Sequence, residues 1–233
     1  MMAASLSQHR AEAVLEATDL YRFYHAGEDE TFALRGVSLS VALGEILAVV
    51  GPSGSGKSTL LGCLAGLDEP DGGSVSVAGA RITRRPEAER AGLRARWIGV
   101  LQQSGNLLDH LSVAKNIRAA QTLVRSADRA ETWVPSLLAD VGLAGRANAR
   151  PATLSGGEAA RAGLAVAFAN DPPVLLADEP TGEVDEFNEQ LILDLLRRRA
   201  GSGRAVVIVT HSTRAAVEAD RIVHLDDGRI VDA

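Results

Sequence analysis

Apolar and polar positions follow two different patterns along this chain, and the change of pattern predicts its elements. Val14 to Tyr24 and Leu34 to Val41 read as strands. The second runs Leu-x-x-Val-x-Leu-x-Val with polar residues between, the signature of a half-buried strand, and the pair suggests an antiparallel sheet. Three other runs, Glu45 to Val50, Val174 to Ala177 and Ala205 to Val209, are short and almost continuously apolar, which suits strands buried on both faces. After the first of them a helix is expected to about Leu67, then a turn at Gly72-Gly73 and a short strand with Val75 and Val77. Pro86 to about Gly142 reads as mostly helical, broken by Trp97 to Leu101 and by a loop around Gly105. Glu186 to Arg199, with Leu191, Leu193, Leu195 and Leu196 among charges, fits an amphipathic crossover helix. Buried strands alternating with helices predict a parallel α/β sheet, with the chemistry at the strands' C-terminal ends.

Composition narrows the partners. The chain has 233 residues, 46% of them apolar, and 24 Lys+Arg against 30 Asp+Glu give a net charge of −6. That length buries a core easily, and net acidity argues against binding that rests on neutralising phosphate backbones, so no nucleic-acid partner is expected. A single cysteine, Cys63, excludes an intramolecular disulfide framework and fits a reducing compartment. Its place on the helix after Gly56 suggests a small core residue rather than a reactive thiol. The longest apolar stretches fall far short of the roughly 18 residues that a spanning helix needs. Met1 to Ala13 lacks the apolar run of a signal peptide and is expected to be frayed. Arg84, Arg85, Arg90, Arg94 and Arg96 form either a solvated helix face or a contact for a partner or for lipid headgroups.

The chemistry begins where the first buried strand ends. Gly51-Pro52-Ser53-Gly54-Ser55-Gly56-Lys57-Ser58-Thr59 satisfies G-x-x-x-x-G-K-[ST], with a strand before it and a helix after it. In such a loop the glycines let backbone N–H groups converge on phosphates, and the following helix adds its dipole. Lys57 then reaches the β and γ phosphates, the Ser58 hydroxyl ligates Mg²⁺ and Thr59 supports the phosphates. The second buried strand closes on Asp178 and Glu179, suited to the Mg²⁺ shell and to polarising an attacking water respectively. The third closes on Thr210-His211, where His211 is either a γ-phosphate contact or an ordinary structural histidine. Leu154-Ser155-Gly156-Gly157-Glu158 reads as a flexible turn or, if it opens a helix, as a second anion site with a hydroxyl and free N–H groups.

Taken together, from about Val14 to Val231, these motifs resemble in order those of ATP-binding subunits of ABC transporters. The resemblance implies a phosphate-loop α/β core (the RecA-like ABC ATPase fold) over residues 14–233, with an antiparallel β subdomain and a helical subdomain inserted at about 86–170. It implies that Tyr24, with Tyr21 and Phe23 as rivals, stacks on adenine, and that Gly51 to Thr59, with Ser53, Gly54, Ser55 and Gly56, are the Walker A loop. Gln103 matches the glutamine that senses Mg²⁺ and the water, Asp178 closes Walker B and Glu179 is the catalytic carboxylate. Asp185 matches the dimer-contact aspartate and His211 the switch histidine. Ser58, Gln103 and Asp178 are the implied Mg²⁺ ligands, direct or through water. In this family two subunits pack head to tail, so that Ser155, Gly156 and Gly157 of one close over the ATP of the other.

Ile98-Gly99, Asn106-Leu107-Leu108 and Leu175 to Gly182 look most like the lipoprotein-release and macrolide-export group, whose ATPases drive a separate integral membrane permease. The implied place is the cytoplasmic side of the cell membrane, held there through that permease. A groove near Ser104 to Asn116 is expected to receive a coupling helix, unless Leu107, Leu108 and Leu111 fill the subdomain's own core. The alternative function is an ATP-gated regulatory or mechanotransmission module that acts on a membrane partner without moving a solute. The pattern is broken at Gln102 and Gly105, where the group has aromatics, at Ala159, Ala160 and Val166, and at Glu183-Val184; Gln102 also makes the functional glutamine ambiguous.

Overall fold

A computed structural model describes residues 13–26, 29–124 and 133–232. The expected frayed terminus lies outside these except for Ala13, as does the 125–132 part of the long helical stretch. The order is β1 (Ala13–Ala26), β2 (Asp29–Ala42), β3 (Ile46–Val50), α1 (Lys57–Leu64), β4 (Gly72–Val77), β5 (Ala80–Arg81), α2 (Glu87–Trp97) and β6 (Ile98–Leu101). There follow α3 (Val113–Thr122), α4 (Trp133–Asp140), α5 (Gly156–Ala167), β7 (Val174–Asp178), α6 (Glu186–Gly201), β8 (Ala205–Val209), α7 (Thr213–Val217), β9 (Arg221–Asp226) and β10 (Arg229–Asp232).

Two sheets result. One is antiparallel, in the order β2-β1-β4-β5; the other runs β10-β9-β3-β8-β7-β6, parallel except for the β10 edge. The apolar runs explain why the parallel sheet is central. Successive side chains of a strand face opposite ways. Leu47, Val49, Val174, Leu176, Val207 and Val209 accordingly join a core shared with the antiparallel sheet and α1, whereas Ile46, Leu175, Ala177, Val206 and Ile208 join a second core shared with α3 to α6. Both faces are dry, so strands of continuous Val, Ile and Leu lose nothing to solvent. Truncating one of these side chains, such as Leu176, removes buried surface and leaves a cavity, at a cost of roughly 2–5 kcal/mol.

Three local readings shift. Helix α1 stops at Leu64 rather than near Leu67, because Gly66 adopts φ +64° and Leu67 and Asp68 both donate to the Gly62 carbonyl at 2.9 and 3.1 Å, closing the helix. Gly72 and Gly73 begin β4 instead of forming a free turn, with Gly72 paired to Tyr21. On α6 Leu193, Leu195 and Leu196 are buried as expected and Ile192 joins them, while Leu191 is half-buried. Cys63 is fully buried as expected, and burial pushes its thiol up to about 12.

Candidate functional site

Helix α1 starts differently from its neighbours. Helices α3, α5, α6 and α7 are capped by the side chains of Ser112, Ser155, Asp185 and Ser212, each accepting from a first-turn N–H. The cap of α1 is Gly56, with no side-chain hydrogen bond and no acidic residue in the first turn. No capping side chain and no first-turn carboxylate of its own occupies the N-terminal N–H groups of α1, which favours a bound phosphate. The loop before it is tightly packed. A Cβ on Gly51 would lie 2.0 Å from the Leu225 carbonyl, and one on Gly56, at φ +101°, 2.2 Å from the Ala33 carbonyl. Glycine alone fits either place. The Lys57 ammonium donates to the Gly51 and Pro52 carbonyls at 2.8 and 2.7 Å, so the loop's single cation lies along the loop itself.

A cavity of about 650 Å³ opens over this loop. Its walls bring together Gly51, Ser53, Gly54, Gly56, Lys57, Ser58 and Thr59 with Asp178, Glu179 and His211 from the ends of β7 and β8, and with Gln103 and Tyr24. The two neighbouring glutamines part here. Gln103 faces the cavity, whereas Gln102 holds Asn106 through its backbone and lines a different groove. Among the aromatics, Tyr24 lines the cavity, with the Arg22 guanidinium 4.7 Å from its ring centre. Tyr21 packs instead on Gly36 and Gly72, and Phe23 on Phe32. Ser55 does not line the cavity: its hydroxyl is buried, its N–H donates to Pro52 and its carbonyl accepts from Gly228, so it shapes the loop from beneath.

Glu179 is fixed from three directions. Thr210 Oγ1 donates to it at 3.0 Å, the His211 N–H at 3.1 Å, and His211 Nδ1 lies 2.7 Å from Oε1. Its backbone sits at φ +45°, uncommon for a residue with a side chain, and its N–H donates to the Val209 carbonyl at 2.8 Å. Burial pushes the Asp178 carboxyl up, against the Ser58 hydroxyl that bonds it; the Glu179 charge adds to the rise and Lys57 opposes it. A hydroxyl beside a partly buried carboxylate pair is a hard-oxygen set, and among the described residues no group of three or more His, Cys, Asp or Glu forms a metal cage. The hydroxyl and carboxylate oxygens are the donor set that fits Mg²⁺, which keeps most of its shell from water and substrate phosphates.

Ser155, Gly157 and Asp185 do not line this cavity. Gly156 borders an adjoining groove of about 440 Å³ that Gln103 and Glu179 also line. The Ser155 hydroxyl accepts from the Glu158 N–H, and the Glu158 carboxylate accepts from the Ser155 N–H, in a capping box that Arg146 buttresses at 2.8 Å. These bonds, the Ser155 N–H first and Arg146 next, hold Glu158 below the usual carboxylate range.

The ABC transporter family model matches residues 34–182. This chain belongs to the ABC transporter family. An uncharacterised ABC transporter ATP-binding protein of Thermotoga maritima is 41% identical over 218 residues, 93% of each chain. The macrolide export ATP-binding/permease protein MacB of Burkholderia thailandensis is 44% identical over 224 residues, 95% of the ABC chain but 34% of MacB, so the chain spans about a third of that relative. A dimeric post-hydrolysis state of the ATP-binding cassette MJ0796 with ADP and Pi superposes with a TM-score of 0.87 at 32% identity, covering 94% of the ABC chain and 97% of MJ0796.

Five cavity residues carried no motif, Thr31 and Ala33 of β2 among them. Phe32 and Arg35 come from β2, and Asp227 from the β9–β10 turn, where it pairs with Arg35 at 2.9 Å. The signal for the last was the Asp227-Gly228 dipeptide between apolar strands, a strong hairpin marker. The breaks in the family pattern also gather in space. Gln102, Gly105 and Val166 line a groove of about 640 Å³ beside α2 and α5, and Ala159, Ala160, Glu183 and Val184 line the 440 Å³ groove. Of the expected docking leucines, Leu107 packs on the second core and Leu108 is 51% exposed.

Proposed function

We propose that this ABC ATPase binds ATP in the 650 Å³ cavity and hydrolyses it as one half of a head-to-tail pair that drives an integral membrane subunit. One observation carries the reading: a single cavity unites an uncapped helix N-terminus, Lys57, the Ser58–Asp178 pair and a carboxylate fixed by Thr210 and His211. Tyr24 stacks on the base, and the loop N–H groups with Lys57 hold the β and γ phosphates. Ser58 and Asp178, with Gln103, hold Mg²⁺, which when bound neutralises charge on the phosphate oxygens. Glu179 orients a water in line with the γ phosphorus and takes its proton as the new P–O bond forms and the bond to the β-phosphate oxygen breaks, releasing ADP. His211 keeps the Glu179 carboxylate in place.

Ser155, Gly156, Gly157 and Asp185 serve the nucleotide of the second copy, which accounts for their place outside the cavity of their own chain. Among the described residues no helix is long and apolar enough to cross a membrane, and the MacB relatives join an equivalent segment to a permease. The membrane subunit docks in the 640 Å³ groove, whose walls include Ala91, Ala95 and Val166, and holds the protein at the cytoplasmic face.

Glu179→Gln keeps the size and most hydrogen bonds of the side chain but removes the base. Hydrolysis is expected to fall by roughly 10²- to 10⁴-fold with ATP affinity retained. Steady-state turnover close to wild type contradicts the assignment.

A further inference from the structure

Residues near the 440 Å³ groove that line none of these cavities join the Ser155 turn to the loop that starts with Glu179. Arg161, one turn into α5, donates through Nε to the Val141 carbonyl at 3.1 Å and through Nη1 to Asn188 Oδ1 on α6. Asn188 Nδ2 donates to both carboxylate oxygens of Asp185, at 3.0 and 2.8 Å, and its N–H caps onto the same carboxylate at 2.8 Å. The amide is used at both ends, its oxygen accepting from Arg161 of α5 and its nitrogen donating to the aspartate that closes the 179–185 loop. A Cβ on Gly157 would lie 2.1 Å from Asn188 Cγ, so the second glycine of the turn is also the one that admits this side chain. A second contact lies beside it, since a Cβ on Gly156 would meet the Glu183 carbonyl at 3.6 Å.

The 179–185 loop is thus tied at both ends. At its start Glu179 is held by Thr210 and His211, and at its end Asp185 is held by Asn188, which is itself held by Arg161 of α5. We propose that Asn188 is a positioning residue that couples the Ser155-Gly156-Gly157 turn to the Glu179–Asp185 loop of the same chain, so that closure of the turn over the second copy's nucleotide sets the geometry of its own hydrolytic site. The proposal rests on the composite-site reading above. The α6 cap needs only the Asn188 backbone N–H, which any residue but proline supplies; here the side-chain amide spans two elements as well. An apolar residue of similar size leaves both the Arg161 and the Asp185 side chains without this partner.

The test uses the full chain in two backgrounds. In Glu179→Gln, ATP-dependent pairing is followed by light scattering with Mg²⁺ and ATP; in the otherwise wild-type protein, kcat and KM are measured. Asn188→Ala is expected to keep ATP affinity within about 2-fold, because the Walker A loop is untouched, while raising the ATP concentration for pairing and lowering kcat by roughly 10-fold each. Arg161→Ala is expected to act in the same sense, and the double variant to cost no more than the worse single, as one bridge requires. Asn188→Asp keeps the size, the backbone cap and the acceptor for Arg161 but loses both donors to Asp185. It therefore reports on coupling if the alanine variant does not fold. Normal pairing and kcat in variants that only melt earlier, or additive losses in the double, overturn the proposal. Failure of the Glu179→Gln parent to pair with ATP overturns the composite-site reading, and the coupling with it.

Discussion

Asp178 is the residue on which electrostatics and chemistry pull hardest against each other. Its carboxyl is raised first by burial and then by the neighbouring Glu179 charge, so the ionised form costs stability above the ordinary carboxylate range, and that cost vanishes as the pH falls into it. Asp178→Asn, isosteric and neutral, is expected to raise the melting temperature of the nucleotide-free protein at neutral pH and to abolish Mg²⁺-dependent stabilisation by ATP. A lower melting temperature without nucleotide contradicts this. The main chemical groups were legible because each closes a buried strand or fills a fixed motif position. Which glutamine and which aromatic line the cavity was not legible, since neighbours differ only in the way they point. Gln103 and Gln102 part because Asn106 ties the Gln102 backbone, and Tyr24 parts from Tyr21 because Tyr21 fills the space over two glycines.

At the scale of elements, the β9–β10 turn clamps the phosphate loop. Gly228 donates to the Ser55 carbonyl at 3.1 Å and accepts from the Arg35 N–H at 2.8 Å. It adopts φ +72°, and a Cβ there would lie 2.8 Å from the Ala33 carbonyl. Gly228→Ala is expected to cost about 1–2 kcal/mol of stability through backbone strain and to weaken ATP affinity as well. Gly79→Ala, at φ +76° with open space around it, carries the strain alone, so its ATP affinity is expected to stay at the wild-type value. Equal affinities in the two variants contradict the clamp. The parallel strands were legible because their apolar runs are rich in Val and Ile, too short for a buried helix and bounded by turn residues. The β9–β10 hairpin is marked in the sequence by Asp227-Gly228 alone, and Ile192 hides among the α6 leucines because helical phase, not residue type, decides which side chain is buried.

For the whole molecule, the decisive fact is a separation. One chain assembles Walker A, Asp178, Glu179 and His211 in its cavity, yet leaves Ser155 and Gly157 outside it. The motif order implied a pair through family resemblance, while composition and periodicity carried no trace of it. The breaks at Ala159, Ala160, Glu183 and Val184 gather on the groove beside that turn, a grouping that sequence order hides because the residues come from two elements more than twenty positions apart.

The central claim is that each ATP is held between the Walker A loop of one copy and the Ser155 turn of the other. It is tested most directly by placing Ser53→Cys and Ser155→Cys in the Glu179→Gln protein and following disulfide formation between chains. The single native thiol, Cys63, is fully buried, and burial pushes it up to about 12, so it does not compete. A covalent dimer that forms with ATP and Mg²⁺ and fails to form without nucleotide is the predicted result. No cross-link in any nucleotide state, with the membrane subunit present, contradicts it.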